Sequence, residues 1–155
     1  MNPGAVLSPC RKYRYTLWRD TGIHNQDYVM FIGLNPSTAD ETKDDPTIRR
    51  CVRFARDWGY GKLCMTNLFA LRATNPKDML SHQAPIGDLN NRYLLDLGQK
   101  AAIIIGAWGD YGTHLERDQM VRAFIPKIHC LKVNKSGQPS HPLYLPANLK
   151  PKEWK

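Results

Sequence analysis

The sequence predicts one α/β domain over residues 1–155, with three α/β/α layers and a mostly parallel central sheet. Three observations predict it. Continuous apolar runs recur at residues 29–34, 63–66, 101–105 and 128–133, and continuous rather than alternating runs mark strands buried on both faces. Segments of helical spacing lie between them, so strand alternates with helix, as in a parallel sheet covered on both sides. The 155 residues, 42% hydrophobic and 23% charged, contain no repeat, low-complexity tract or linker and suit a single core.

Taken in order, residues 13–18 have the period-2, aromatic and β-branched character of a strand. Residues 20–26, with Gly22 and Asn25, form a loop. Residues 28–34 make the first buried strand. A helix follows with clear punctuation: Asp45 caps it, Pro46 suits its first position and Gly59 ends it. Its inward residues are Ile48, Cys51, Val52, Ala55 and Trp58, and Arg49, Arg50, Arg53 and Arg56 lie opposite. Residues 63–66 form the second buried strand, Pro76 starts a turn of helix, and residues 89–99 form a helix with Leu89, Tyr93, Leu94 and Leu97 inward. Residues 101–105 are the third buried strand, residues 113–124 a helix, and residues 128–133 the fourth strand, set off by Pro126. The Pro- and Lys-rich tail after Pro146 is expected to pack loosely.

Composition narrows the functional classes. Lys and Arg number 22 against 14 Asp and Glu, a net charge of +8. That balance favours polyanionic partners, nucleic acid or nucleotide, over a neutral ligand. No apolar run approaches the roughly 20 residues of a membrane span. The stretch from Met1 to Cys10 has neither a basic nor an apolar signal segment, which points to a cytoplasmic protein without a membrane partner. Cys10, Cys51, Cys64 and Cys130 are too scattered for a zinc site or a disulfide framework. They read as mostly buried thiols, with no metal and no cofactor.

Ligands of parallel sheets bind beyond the carboxyl ends of the strands. Those ends carry Gly33 to Asp40, then Thr66 to Phe69 leading to Arg72 and Ala73, then Gly106 to Asp110, and finally Asn134 to Leu143. Their convergence predicts a small polar pocket with aromatic walls. It has no Walker loop, no G-x-G-x-x-G and no G-x-S-x-G elbow. It suits a planar heterocycle: an Asn amide reads a donor–acceptor edge, an aromatic ring stacks, and a His stabilises negative charge. Each residue also has a structural reading. Asn35 before Pro36 fits a strand-ending turn, Asn67 a strand exit, and His141 beside Pro142 a surface turn. Trp108 fits either stacking or core. The face of Arg49 and Arg53 is a solvated helix surface unless it lies beside the pocket.

Gly33-Leu34-Asn35-Pro36-Ser37 resembles the first motif of the uracil-DNA glycosylase superfamily, closest to the Gly-x-Asn-Pro-Gly form. Ser140-His141-Pro142-Leu143 resembles its second motif, and Thr66-Asn67-Leu68 falls where that superfamily carries a base-reading Asn. Over nearly the whole chain, Ser8-Pro9-Cys10, Tyr13-Arg14-Tyr15, residues 33–40, Asp45-Pro46-Thr47 and residues 138–145 resemble a bacterial and phage family, domain of unknown function sixteen-forty-three. The glycosylase resemblance implies a DNA glycosylase-like hydrolase acting in bacterial or phage nucleic-acid processing. In it Asn35 positions the attacking water, Asn67 reads the base edge and His141 hydrogen-bonds the departing base. Phe69 or Trp108 would stack on that base, with Pro36 and Ser37 beside it. Arg49, Arg53, Arg72 and Lys135 are the expected phosphate contacts. Ser37 replaces the motif's second Gly, and Leu143-Tyr144-Leu145 replaces its Ser-led loop. These departures leave open a modified base, a free nucleotide, or binding without cleavage. They also leave the base for proton transfer unassigned, with Asp40 and Glu41 the nearest carboxylates in sequence.

Overall fold

All four segments expected as buried strands enter one sheet. In this computed structural model, residues 4–155 are described, so the first three residues of the expected domain and of the N-terminal stretch lie outside the described residues. The strands are β1 (Gly4–Leu7), β2 (Arg14–Asp20), β3 (Tyr28–Gly33), β4 (Lys62–Asn67), β5 (Ile103–Gly106), β6 (His129–Cys130) and β7 (Lys152–Glu153). Their order is β1-β2-β4-β3-β5-β6-β7. The helices are α1 (Pro46–Asp57), α2 (Pro76–Leu80), α3 (Asn90–Lys100) and α4 (Arg117–Phe124), with a 3-10 helix at Asp110–Glu116.

The protein is a mixed α/β fold. Its central strands β4, β3, β5 and β6 run parallel. The β1–β2, β2–β4 and β6–β7 pairs are antiparallel, so half of the pairings depart from the expected mostly parallel sheet. The departures lie at the edges, where no crossover helix is needed. Along β3, Val29 and Phe31 join one apolar cluster with Ile48, Cys51, Phe54 and Ala55 of α1. Met30 and Ile32 join another with Leu94 of α3, Val121 of α4 and Met79 of α2. Alternate residues of a strand point to opposite faces, which is why one short run feeds both clusters.

The start of α1 follows its sequence punctuation. The Asp45 carboxylate accepts the Ile48 N–H at 2.9 Å, and Gly59 adopts φ +89° just past the helix end.

Three expectations give way. The helix expected at residues 113–124 is broken: His114 is extended, and Leu115 and Glu116 take φ of 53° and 54°. The preceding 3-10 turn lies on the Trp108 ring, where a Cβ on Gly112 would sit 2.0 Å from it. The fourth strand is short because the chain after Cys130 folds back, with the Ser140 N–H donating to the Lys132 carbonyl and the Asn134 N–H to that of Gln138. The tail does not pack loosely either. β7 closes the sheet edge, and Trp154 is buried against Trp108 with the Arg122 guanidinium 3.9 Å from its ring. Aromatic burial, invisible in a Pro- and Lys-rich composition, anchors it.

Among the described residues no helix is long and apolar enough to cross a membrane. Cys51, Cys64 and Cys130 are buried and Cys10 is exposed.

Candidate functional site

The carboxyl ends of β3, β4 and β5 open onto a cleft of about 440 Å³. Asn35, Pro36, Ser37, Asn67, Trp108 and His141 all line it. The strand exits therefore bring the expected catalytic residues Asn35 and His141 together with Asn67, Pro36, Ser37 and Trp108.

Asn67 ends β4 and is 2% exposed, yet its Nδ2 has no hydrogen-bond partner. A buried, unanswered donor costs about 1–3 kcal/mol. The backbone beneath it is held from behind. Asn90 Nδ2 donates to the carbonyls of Asn67 at 2.9 Å and Leu68 at 3.0 Å, and Arg117 donates twice to the Leu68 carbonyl, at 3.0 and 2.8 Å. Gly33 is required opposite, since a Cβ there would lie 2.8 Å from Asn67 Oδ1 and 2.9 Å from Met65 Cε. Asn35 is fixed as well. Its Nδ2 donates to the carbonyls of Pro36 at 3.1 Å and Ala73 at 3.0 Å, which leaves Oδ1 as the amide's acceptor for a ligand.

His141 stands at the cleft mouth with one side exposed. Its Nδ1 accepts the Leu143 N–H at 3.2 Å, which places the proton of the neutral ring on Nε2 and makes Nε2 a donor. The surrounding protein removes water from the ring and lowers its pKa below the ordinary 6.5, with the Asp45 charge pulling the other way. The site holds a neutral imidazole at pH 7.

Arg14, Asp45 and Asp110 bring charge to the cleft. Arg14 reaches it from β2 and is 2% exposed, with Nη1 donating to the Ala39 carbonyl at 3.0 Å and Nε unpartnered. Burial lowers its pKa to about 10. Asp45 lines the cleft while capping α1. In the sequence Arg14 is one of a basic cluster with Arg11, Lys12 and Arg19, and the structure separates their roles. Arg11 pairs with Glu41 at 2.7 Å, and Arg19 pairs with Asp44 at 2.6 Å and donates to the Asp40 carbonyl at 2.6 Å. Both tie down the loop that leads into α1, whereas Arg14 faces the ligand space. A cation at the centre of an aromatic strand was the available signal.

The aromatic expectations divide. Phe69 is fully buried with its ring against His114 and does not line the cleft, so it belongs to the core rather than to base stacking. Its neighbour Leu68 is equally buried, because the chain beyond β4 dives under α4 instead of rising over the site. Trp108 is a core residue that also borders the cleft: it is 2% exposed, locked by its Nε1–H to Gln138 Oε1 at 2.7 Å, and it contributes to the cleft wall. Tyr111, half exposed on that wall, was not singled out from the sequence, where the strand-end segment stops at Asp110. Gly109, at φ +74°, supplies the turn before it.

The expected phosphate contacts lie around the cleft rather than in it. Arg49 and Arg53 line a shallow depression with Arg50, Leu143 and Tyr144, joined to the cleft through Leu143. Arg72 lines a second depression with Arg11, Lys12 and Lys43, joined through Ser37, Ala73 and Thr74. Lys135 is exposed on the loop after β6 and borders none of these three. Its neighbours Asn134 and Ser136 donate to Asp110, at 2.9 and 2.6 Å. Of the two carboxylates suggested by sequence, neither lines the cleft: Asp40 accepts the N–H groups of Thr42 and Lys43, and Glu41 is held by Arg11.

Fold and site together define a mixed α/β protein with a donor-rich cleft at the carboxyl edge of its parallel strands. A family model described as Protein of unknown function (DUF1643) matches residues 14–143, and the chain belongs to that family. The match begins at Arg14 and ends at Leu143, both of which line the cleft. No curated protein and no solved structure matches the chain.

Proposed function

We propose that this chain is a cytoplasmic, DNA glycosylase-like protein that takes a nucleobase, natural or modified, into the cleft and releases it from its sugar by hydrolysis. The frame we assign to it is a three-layer, glycosylase-like α/β/α sandwich. The observation that carries the reading is that Asn67, with a buried and unpartnered Nδ2, lines the same cleft as Asn35 and His141. A base offers a carbonyl to Asn67 and a second acceptor to His141 Nε2–H, and the developing negative charge strengthens that second bond. Asn35 Oδ1 accepts from the water. Tyr111 and Trp108 wall the base plane. Nucleic acid is the partner this reading requires, with the cations of the two adjoining depressions on its phosphates.

A second reading, base recognition without cleavage, has one observation in its favour: Asn35 Nδ2 is bound to loop carbonyls, so a water has a single amide atom to hold it. Base release from oligonucleotides carrying uracil, hypoxanthine and hydroxymethylated pyrimidines separates the two. His141→Ala and Asn35→Ala should each lower release by about a hundredfold or more, with the melting curve and DNA binding close to wild type. Wild-type protein that binds one of these bases but frees none establishes the second reading instead.

A further inference from the structure

The two carboxylates that line the cleft are Asp45 and Asp110. Asp110 is exposed, and its Oδ1 already accepts from Asn134 and Ser136, both of which weaken it as a base. Asp45 differs. Its Oδ1 accepts the Ile48 N–H and anchors the side chain at the start of α1. The other oxygen, Oδ2, takes part in no hydrogen bond. Asp45 shares the cleft wall with His141 and Arg14, and its charge is felt at both. The cap therefore fixes a carboxylate on the same cleft wall as His141 and Arg14. The unanswered Asn67 Nδ2 and Arg14 Nε, each on a side chain 2% exposed, mark the space before it as built for a ligand.

We propose that Asp45 is the general base of the hydrolytic step, an inference that rests on the glycosylase reading above. A water held by Asn35 Oδ1 attacks C1′ of the sugar, and its proton passes to Asp45 Oδ2. The C1′–O bond forms as the C1′–N bond breaks. The bonding pair leaves on the base, whose negative charge accepts the hydrogen bond from His141 Nε2–H. The base takes its proton from solvent on release, and Asp45 returns its own to solvent. One residue thus serves as helix cap with one oxygen and as base with the other. No ion pair within 4.0 Å joins Arg14 to this carboxylate.

The test exploits the cap. Asn is as good an N-cap as Asp, so Asp45→Asn keeps the bond to Ile48 N–H and removes only the basicity. Single-turnover base release should fall by about 10²–10⁴-fold. The Kd for the same oligonucleotide should stay within about threefold of wild type. Asp45→Ser, a second cap-preserving variant, should lose release equally, which covers the case in which Asp45→Asn folds poorly. Glu41→Gln should leave release within about twofold. If Asp45→Asn releases base within about threefold of the wild-type rate, Asp45 is a cap alone and the glycosylase reading survives without it. If wild-type protein releases no base from the panel, both fall together.

Discussion

Arg14 and Arg117 are both buried arginines without a carboxylate partner, and burial lowers the pKa of each to about 10. They stand on two sides of the same strand end. Behind β4, every nitrogen of Arg117 is answered: Nε and Nη2 donate to the Leu68 carbonyl, and Nη1 to Asn91 Oδ1 at 2.8 Å and Met120 Sδ at 3.0 Å. In front, Arg14 has one carbonyl partner on Nη1, and its Nε is left without any. A buried charge whose donors are all used supports structure. One with a buried donor left unanswered beside a cleft costs stability. The difference separates a clamp from a recognition element, although the two side chains have the same chemistry and nearly the same burial.

The comparison breaks most sharply on stability. Arg117→Met removes the clamp on Leu68 and should cost about 2–3 kcal/mol in a denaturant melt. Arg14→Met should stay within about 1 kcal/mol of wild type, because it also removes an uncompensated buried charge. Equal losses for the two variants would show that Arg14 is structural as well. The same Arg14→Met should weaken binding of a base-containing oligonucleotide about tenfold, whereas an Arg117 variant that remains folded should change affinity less.

A smaller effect is expected outside the cleft. Arg49 and Arg53 are exposed on α1 beside the site. Reversing both to Glu should weaken oligonucleotide binding severalfold and flatten the slope of log affinity against log salt. Affinity that is independent of salt in the wild type would exclude phosphate contacts and favour a small-molecule ligand.

The smallest effect concerns pH. The His141 pKa lies below 6.5 in the folded protein, chiefly through burial, while the unfolded chain protonates near the ordinary value. Between those two values the unfolded state holds more protons, so this group lowers stability as pH falls from about 6.5 and reaches its full cost below the folded pKa. His141→Ala should flatten that limb of the stability–pH curve. Base release should decline only as pH falls through the folded pKa, where the neutral ring is lost. A curve unchanged by the substitution would mean that the ring is fully solvated.

The sequence by itself determined the α/β class, the four central strands that run parallel and the residues at their ends. Those features are local: continuous apolar runs bury strands on both faces, and Asp45, Pro46 and Gly59 punctuate a helix whatever surrounds it. The convergence of Asn35, Asn67 and His141 was legible for the same reason, since parallel strands present their carboxyl ends on one edge. Phe69 was misplaced because strand pattern gives no information about where the chain turns after its last paired residue. The antiparallel edges, β7 and the burial of Trp154 depend on contacts distant in sequence. Only tertiary structure decided which arginine of Arg11, Arg14 and Arg19 faces the cleft, because that depends on which carbonyls and carboxylates each one meets. It also gave Asp45 its place on the cleft wall. The sequence fits Asp45 to a helix cap, but the space its second oxygen faces is set by the approach of α1 to the ends of β3 and β4, which local pattern does not specify.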